Sequence, residues 1–313
     1  MAKDDGQLAL DLTRDSPLIG RVKNDRTLMV WNFFSLSRER VSELPVYDDG
    51  RVRIEVSGAK YGVATIWDKE ILIYLASLVQ DKLNRGEEVS PRLVFTAHDI
   101  CRVTGSVVGG SAYRRIAEGL RRLQGTQIIT NIETGGAGED QAFSWIMRYK
   151  IHYRVGRNKE KIMEALEVEL CPWVYRSILK DRRMLTYDQS YFELPPLEKR
   201  LYEIARAHCG KQAGFKMNLE KLRRRVGTTM ELRFFKKELV KISKRRLPLP
   251  GYGLSLVDSR VANSIDANPR PALKRPPLKS LLVYFYSTDR LSKIPPISAV
   301  PLIEDDLCVE DAV

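Results

Sequence analysis

Two groups of arginine and lysine residues recur at the spacing of a helix surface, and their side chains suit contact with nucleic acid. An arginine can bind a phosphate or pair with both O6 and N7 of guanine, and a lysine is a strong phosphate ligand. The first group is Arg114, Arg115, Arg121 and Arg122, with the neighbouring Ser111 and Tyr113; the second, far along the chain, is Arg233, Lys236, Lys237, Lys241 and Lys244. We predict that both groups bind double-stranded DNA, although a basic outer face is also common on helices that meet only solvent.

The start of each basic helix is the stronger candidate for base contacts, because the N-terminal part of a recognition helix contacts base edges in the major groove. The candidates are Ser111, Tyr113, Arg114 and Arg115 in the first group, and Arg233, Lys236 and Lys237 in the second. The sequence does not separate base contacts from phosphate contacts, and Tyr113 is equally consistent with a core or capping residue.

Other residues capable of chemistry do not form a catalytic pattern. The carboxylate pairs Asp4-Asp5, Asp48-Asp49 and Asp305-Asp306 fall in turns or tails, with nothing to gather them around a metal. The run Gly109-Gly110-Ser111 lacks the Lys-Ser/Thr of a Walker A motif and is better explained as a helix N-terminus facing a DNA phosphate. The four cysteines and three histidines show no zinc-ligand spacing. We therefore expect no enzymatic activity, no metal and no cofactor.

An enzyme acting on DNA remains an alternative. A nickase or recombinase could use Tyr187 or Tyr191 as a nucleophile. However, the sequence has no His-apolar-His pair of the kind that a tyrosine-nicking endonuclease needs for its metal.

The segment Gln7–Leu12 has a specific alternating form. Gln7 is followed by Leu8, Leu10 and Leu12 within a polar stretch. Alternate apolar side chains on an extended peptide can insert into a groove of a partner protein. The hexapeptide resembles the bacterial sliding-clamp-binding motif; a chance leucine run, or a strand that docks on its own domain, would give the same pattern.

Both basic helices are predicted within a winged helix-turn-helix. In the first unit, Thr96 and Asp99 start a short helix, Gly105 turns the chain, and a helix over 111–124 follows. Strands at 127–132 and 143–151 would flank a wing tip at 134–138. In the second unit, Asn218 caps a short helix, Gly227 turns it, a helix covers 230–244, and 247–257 would form the wing. Pro248 and Pro250 weaken that second wing. The predicted fold class is α+β, with two tandem winged helix-turn-helix domains and short flanking tails.

Charge and composition agree with a polyanionic partner. The 313-residue chain has a net charge of +12, but residues 1–20 are net −2 and residues 300–313 are net −5, so that 21–299 carries +19. No apolar run reaches the length of a membrane span, and the N-terminus does not resemble a signal peptide. The four cysteines are widely separated, which suggests reduced thiols and a cytoplasmic location.

We predict four segments from these patterns. Residues 1–26 form a mobile N-terminal tail with the clamp-binding-like motif, 27–157 the first winged-helix domain and 158–261 the second. Residues 262–313 form a Pro-rich linker, a lone apolar strand at 281–286 and an acidic C-terminal tail.

Three blocks resemble the replication initiator protein A family of bacterial plasmids: NFFSLS (32–37), YGVATIWDKEILIYLASLV (61–79) and GGSAYRRIAEGLRRLQGTQIITNI (109–132). The resemblance runs over roughly residues 28–260. It implies a plasmid replication initiator that binds repeated origin DNA, helps to open an AT-rich region and recruits the host replicative helicase. It also implies a homodimer that represses its own promoter. The hexapeptide adds the sliding clamp as a partner. A sequence-specific transcriptional repressor without replication activity is the main alternative.

Overall fold

A computed structural model of the chain describes residues 14–136, 141–155, 159, 161–210, 212, 214–259, 276–289 and 302–303. The helices are α1 (Arg26–Val30), α2 (Lys69–Asn84), α3 (Ala97–Thr104), α4 (Gly110–Gly125), α5 (Pro172–Arg176), α6 (Pro196–His208), α7 (Leu219–Val226) and α8 (Leu232–Ser243). The strands are β1 (Lys23–Asp25), β2 (Tyr47–Asp48), β3 (Arg53–Gly58), β4 (Arg92–Phe95), β5 (Thr126–Thr130), β6 (Gln141–Phe143), β7 (Ile146–Val155), β8 (Lys161–Leu170), β9 (Met184–Thr186), β10 (Gly214–Asn218), β11 (Tyr252–Asp258) and β12 (Leu281–Ser287).

The first winged helix is formed by α2, β4, α3, α4, β7 and β8. Its sheet is antiparallel in the order β4-β8-β7, with Leu166 of β8 between Phe95 and Ile151. The helix-turn-helix begins as predicted, because the Thr96 side chain accepts a hydrogen bond from Asp99 N at 3.1 Å. It turns at Gly105, whose φ of 68° is unfavourable for a side chain.

The first wing is the β7–β8 hairpin, so the prediction that 127–132 and 143–151 flank it is wrong. β5 instead pairs with β3 and β6, in a separate sheet of order β2-β3-β5-β6. Residues 134–136 of the predicted wing tip lie between β5 and β6, and its residues 137 and 138 lie outside the described residues. Alternation identifies a strand but not its partner, which here lies further along the chain. The predicted domain boundary at residue 157 is also wrong, since it would separate two paired strands.

The second winged helix is formed by α6, β10, α7, α8, β11 and β12. The Asn218 side chain accepts from Glu220 N at 2.8 Å, and Gly227 ends α7 with a φ of 77°, both as predicted. The sheet order is β10-β12-β11, with Phe285 of β12 between Phe215 and Leu254.

The central position of β12 corrects two predictions. Residues 281–286 are not a lone strand beyond a linker, and 247–257 do not form a hairpin. Residues 259–280 connect β11 and β12 along the chain, and residues 260–275 of this connection lie outside the described residues. The second domain therefore extends well past the predicted end at residue 261.

The predicted N-terminal tail of 26 residues is too long. Residues 14–20 dock on α3 and β4: Asp15 N donates to Val94 O at 2.7 Å, and the buried Leu18 donates its N–H to Asp99 Oδ2 at 2.8 Å. Arg102 then donates to Leu18 O at 2.8 Å. We call residues 14–18 the N-terminal strap. Further on, β1 pairs antiparallel with β9, which follows the first winged helix in the chain.

One continuous core joins the two domains. Asp25 caps the short helix α1 by accepting from Thr27 N at 2.8 Å, and α1 packs against α6. Phe34 stacks on Trp145 with ring centroids 5.0 Å apart, as expected for core aromatics. No helix in the described residues is both long and apolar enough to cross a bilayer.

Candidate nucleic-acid interface

Helix α4 presents a basic face to solvent. Ala112, Ile116, Leu120 and Leu123 form its buried stripe, as helical periodicity requires. Arg114 and Arg121 are exposed on the opposite side, and Ser111 is exposed at the N-terminal turn. Neither arginine forms an ion pair with another described residue. Their charge is thus available to an anion outside the protein.

Arg122 is not part of this face. Its guanidinium donates to both oxygens of the Asp68 carboxylate, at 2.7 and 2.8 Å, and its side chain is 24% exposed. A bidentate pair with a nearly buried carboxylate holds the side chain against the start of α2. The pair attaches α4 to α2, so Arg122 is less available to DNA than Arg121, and its predicted DNA contact stays a prediction.

Two further predicted residues lie at the edges of α4. Arg115 is exposed but turned toward α2, where it lines a cavity with Glu70 and Cys101. Tyr113 is half-buried and packs against the core, which favours the structural alternative for this residue. The outward stripe of α4 is thus narrower than the sequence suggested.

Helix α8 presents a second basic face. Phe235, Leu239 and Ile242 are buried, while the opposite side carries four exposed cations. These are Arg233, Lys237, Lys241 and Lys244. Arg233 pairs with Glu231 at 2.8 Å and Lys241 with Glu238 at 3.7 Å, but all four side chains remain accessible to solvent. Lys236 is half-buried at the edge of this face.

The first wing adds basic residues that the sequence prediction missed. Arg154, Lys159 and Lys161 are exposed around the end of the β7–β8 hairpin. Nearer the body, Arg148 pairs with Glu169 at 2.5 Å and Lys150 with Glu167 at 3.5 Å. Correct strand pairing would have revealed the basic tip, because wings commonly reach the backbone beside the major groove.

Two loops beside α4 carry further cations. Arg38, Arg40 and Lys60 are exposed, and the two loops are joined by a hydrogen bond from Val63 N to Val41 O of 2.8 Å. The Arg121 guanidinium lies 5.5 Å from the ring centroid of Tyr61 in the second loop. These residues extend the basic surface of the first domain, and no helical periodicity marks them in the sequence.

The remaining predicted sites have different outcomes. The clamp-binding-like residues Gln7, Leu8, Leu10 and Leu12 lie outside the described residues. Tyr187 and Tyr191 are buried, and both hydroxyls donate to Glu203 Oε1 at 2.9 Å. Burial raises the pKa of both phenols, and the Glu203 charge raises it further. Neither tyrosine is accessible to a DNA phosphate, which argues against the nickase alternative.

Two comparisons with known sequences found proteins similar to this chain. The family model described as replication initiator protein A matches residues 23–254. A putative replication protein of Wigglesworthia glossinidia brevipalpis is 32% identical over 244 residues, covering 77% of this chain and 86% of the relative.

Two solved structures share the fold. Domains 2 and 3 of RctB align with a TM-score of 0.56 at 17% identity, over 81% of this chain and 94% of that one. A second structure of the same domains gives a TM-score of 0.51 at 16% identity, over 82% and 95%. The tandem winged-helix fold class is thus confirmed.

Proposed function

Because this chain is a replication initiator of the replication initiator protein A family, we propose that it starts plasmid replication by binding repeated origin DNA through α4 and α8. In this proposal it promotes opening of the origin and recruits the host replicative helicase. It acts as a binding protein rather than an enzyme, in the bacterial cytoplasm.

The observation that carries the proposal is the pair of outward basic helices on two winged helices of one body. Each of these helices follows a short helix and a glycine turn. The basic face of each helix lies opposite the stripe of side chains that the helix buries. A recognition helix of this kind enters the major groove, and two of them would contact successive grooves of one duplex. Phosphate contacts by the wing and loop cations would add affinity that depends on salt.

A footprint of the purified protein on its own plasmid's origin, with competitor DNA, tests the proposal. We expect protection of regularly spaced repeats, each long enough for two major-groove contacts. Protection of a single promoter palindrome would instead indicate a repressor. A complete lack of specific protection would exclude the assignment of both helices.

Recruitment of host proteins is a separate part of the proposal. We propose that residues 7–12 bind the sliding clamp, and that a homodimer represses the promoter. A pull-down of purified clamp by the full chain, compared with a variant in which Gln7, Leu8, Leu10 and Leu12 are alanine, tests the first. Failure of the wild-type chain to retain the clamp would remove it as a partner. The proposed homodimer is tested by sedimentation of the protein with and without origin repeats, which measures its oligomeric state.

The absence of nicking chemistry is tested directly. Supercoiled origin plasmid should remain supercoiled with the purified protein and magnesium. A relaxed product that disappears in Tyr187→Phe or Tyr191→Phe would revive the enzyme alternative.

A further inference from the structure

Three consecutive residues at the start of α2, Asp68-Lys69-Glu70, contact both the first basic helix and the second domain. Their side chains leave α2 in different directions, because successive helical residues are rotated by about 100°. Asp68 reaches α4, whereas Lys69 and Glu70 reach α6 of the second domain. We call these three residues the junction.

Asp68 fixes α4. Asp68 stands at the N-cap position of α2 but does not cap the helix with its side chain. Its carboxylate accepts from Thr65 N at 2.7 Å and from Arg122. The contact also needs Gly119, because a Cβ there would lie 2.8 Å from Asp68 Oδ1 and 2.9 Å from Ile71. Helices α2 and α4 are therefore held close together at this point.

Lys69 fixes the second domain. Its Nζ donates to Glu203 Oε1 of α6 at 2.6 Å and to Leu28 O at 2.7 Å, and neither the lysine nor the glutamate side chain is exposed. Burial alone would raise the pKa of Glu203, but Lys69, Arg200 and Tyr191 outweigh it and lower the pKa. Breaking one side of such a buried pair leaves an uncompensated charge, so the contact has one strongly preferred geometry.

Glu70 makes the neighbouring contact with Lys199 of α6. From α6 the connection continues, since Arg200 donates to Glu203 and to Arg225 O of α7 at 3.2 Å. Arg225 in turn donates to Tyr47 of β2 at 2.9 Å and lies 3.6 Å from the ring centroid of Trp31. A chain of buried polar contacts thus runs from α4 through the junction to the second helix-turn-helix.

We propose that the junction fixes the distance and rotation between α4 and α8, so that the protein selects DNA by the spacing of its two contacted segments. This inference depends on the proposed function. Inserting one base pair moves the segments apart by about 3.4 Å and rotates them by about 35°. A rigid pair of helices cannot follow that change, whereas two loosely joined domains could.

The test compares binding to the footprinted repeat with binding to versions carrying two additional base pairs between the protected segments. Wild-type protein is expected to bind the lengthened site at least about tenfold more weakly. Glu70→Gln, and the apolar double variant Lys69→Met with Glu203→Leu, should reduce this penalty to less than about threefold while specific binding to the natural repeat persists. The double variant Glu70→Lys with Lys199→Glu exchanges the two charges of the pair and should restore part of the penalty for the lengthened site.

Glu220→Gln is the matched control, because Glu220 pairs with Arg223 inside α7 at 2.7 Å and joins no two domains. It should keep the wild-type penalty. If the double variant does not fold, as judged by thermal unfolding, Glu70→Gln decides alone. A wild-type protein that tolerates the insertion, or junction variants that keep the full penalty, would overturn the proposal. Absence of any specific wild-type binding would instead refute the proposed function.

Discussion

Asp25 is a buried carboxylate that caps α1 with only one of its oxygens. Oδ1 accepts from Thr27 N, whereas Oδ2 has no hydrogen-bond partner among the described residues. Burial raises the pKa of Asp25 to about 6, against the lowering effect of the hydrogen bonds from Thr27. Because the folded pKa lies above the unfolded value of 3.8, the folded state binds more protons between about pH 4 and 6. The contribution of this group to stability is therefore lost as the pH rises through that window.

Asp25→Asn should stabilise the protein at neutral pH. Asparagine caps a helix about as well as aspartate but carries no charge to bury. The free energy of unfolding should rise by up to about 3 kcal/mol at pH 7.5, following about 1.4 kcal/mol per pKa unit. At pH 4 the difference should nearly vanish. Urea unfolding of both proteins at pH 7.5 and pH 4 measures this difference in the free energy of unfolding. An equal difference at the two pH values would show that the charge of Asp25 is not its cause.

Arg122→Ala should affect stability more than DNA recognition. Removing the guanidinium leaves the nearly buried Asp68 carboxylate without its main partner, which we expect to cost about 2–4 kcal/mol, since the arginine is partly exposed. The salt dependence of DNA binding by the folded fraction should be unchanged. Arg114→Ala is the control on the same helix, with unchanged stability. A reduced salt slope in Arg122→Ala would return this residue to the DNA-binding face.

At the scale of elements, α4 and α8 can be distinguished by two substitutions. We expect Arg114→Ala to relax sequence discrimination by about 1–3 kcal/mol, because Arg114 lies near the start of α4. Lys241 lies near the end of α8. We expect Lys241→Ala to weaken binding to all sequences alike and to reduce the slope of log affinity against log salt concentration by about 1. Binding titrations on specific and random duplexes at several salt concentrations measure both effects. Unchanged slope and discrimination in both variants would contradict the helix assignment.

Strand β12 should be essential to the second domain. Phe285 is fully buried and stacks on Phe215 with centroids 5.0 Å apart. Phe285→Ala is expected to lower the free energy of unfolding by about 3–5 kcal/mol. Val46→Ala, at an exposed position, is the control. Stability like that of the wild type would mean that β12 is not part of the folded core.

The helices were predictable from sequence and the strand partners were not, for a physical reason. Helix signals such as Thr96, Gly105, Asn218 and Gly227 act within a few residues, and each is found in the expected role. Pairing of β12 depends on residues more than sixty positions earlier, across a proline-rich segment that resembles a linker. Local alternation could not reveal that pairing or the pairing of β7 with β8, so the first wing was misplaced and β12 was left outside the second domain.

At the scale of the whole molecule, the sequence identified the two basic helices but not how they are joined. Arg122 and Arg121 look alike in the sequence, yet Arg122 forms an ion pair with Asp68, which lies 54 residues away in the chain. Lys69, Lys199 and Arg200 likewise contribute to a positive sequence while being buried between domains. The number of basic residues therefore overstates the basic surface available to DNA, because buried cations and cations in ion pairs are included in it.

The N-terminal strap has a consequence for any partner held by residues 7–12. Three peptide units separate Leu12 from Asp15, and Asp15 is hydrogen-bonded to β4. The segment that connects Leu12 to β4 therefore spans at most about 10 Å. A protein captured there would stay beside the first winged helix at a local concentration in the millimolar range. It would be delivered to the same stretch of duplex on every encounter, without needing a strong affinity of its own for the origin.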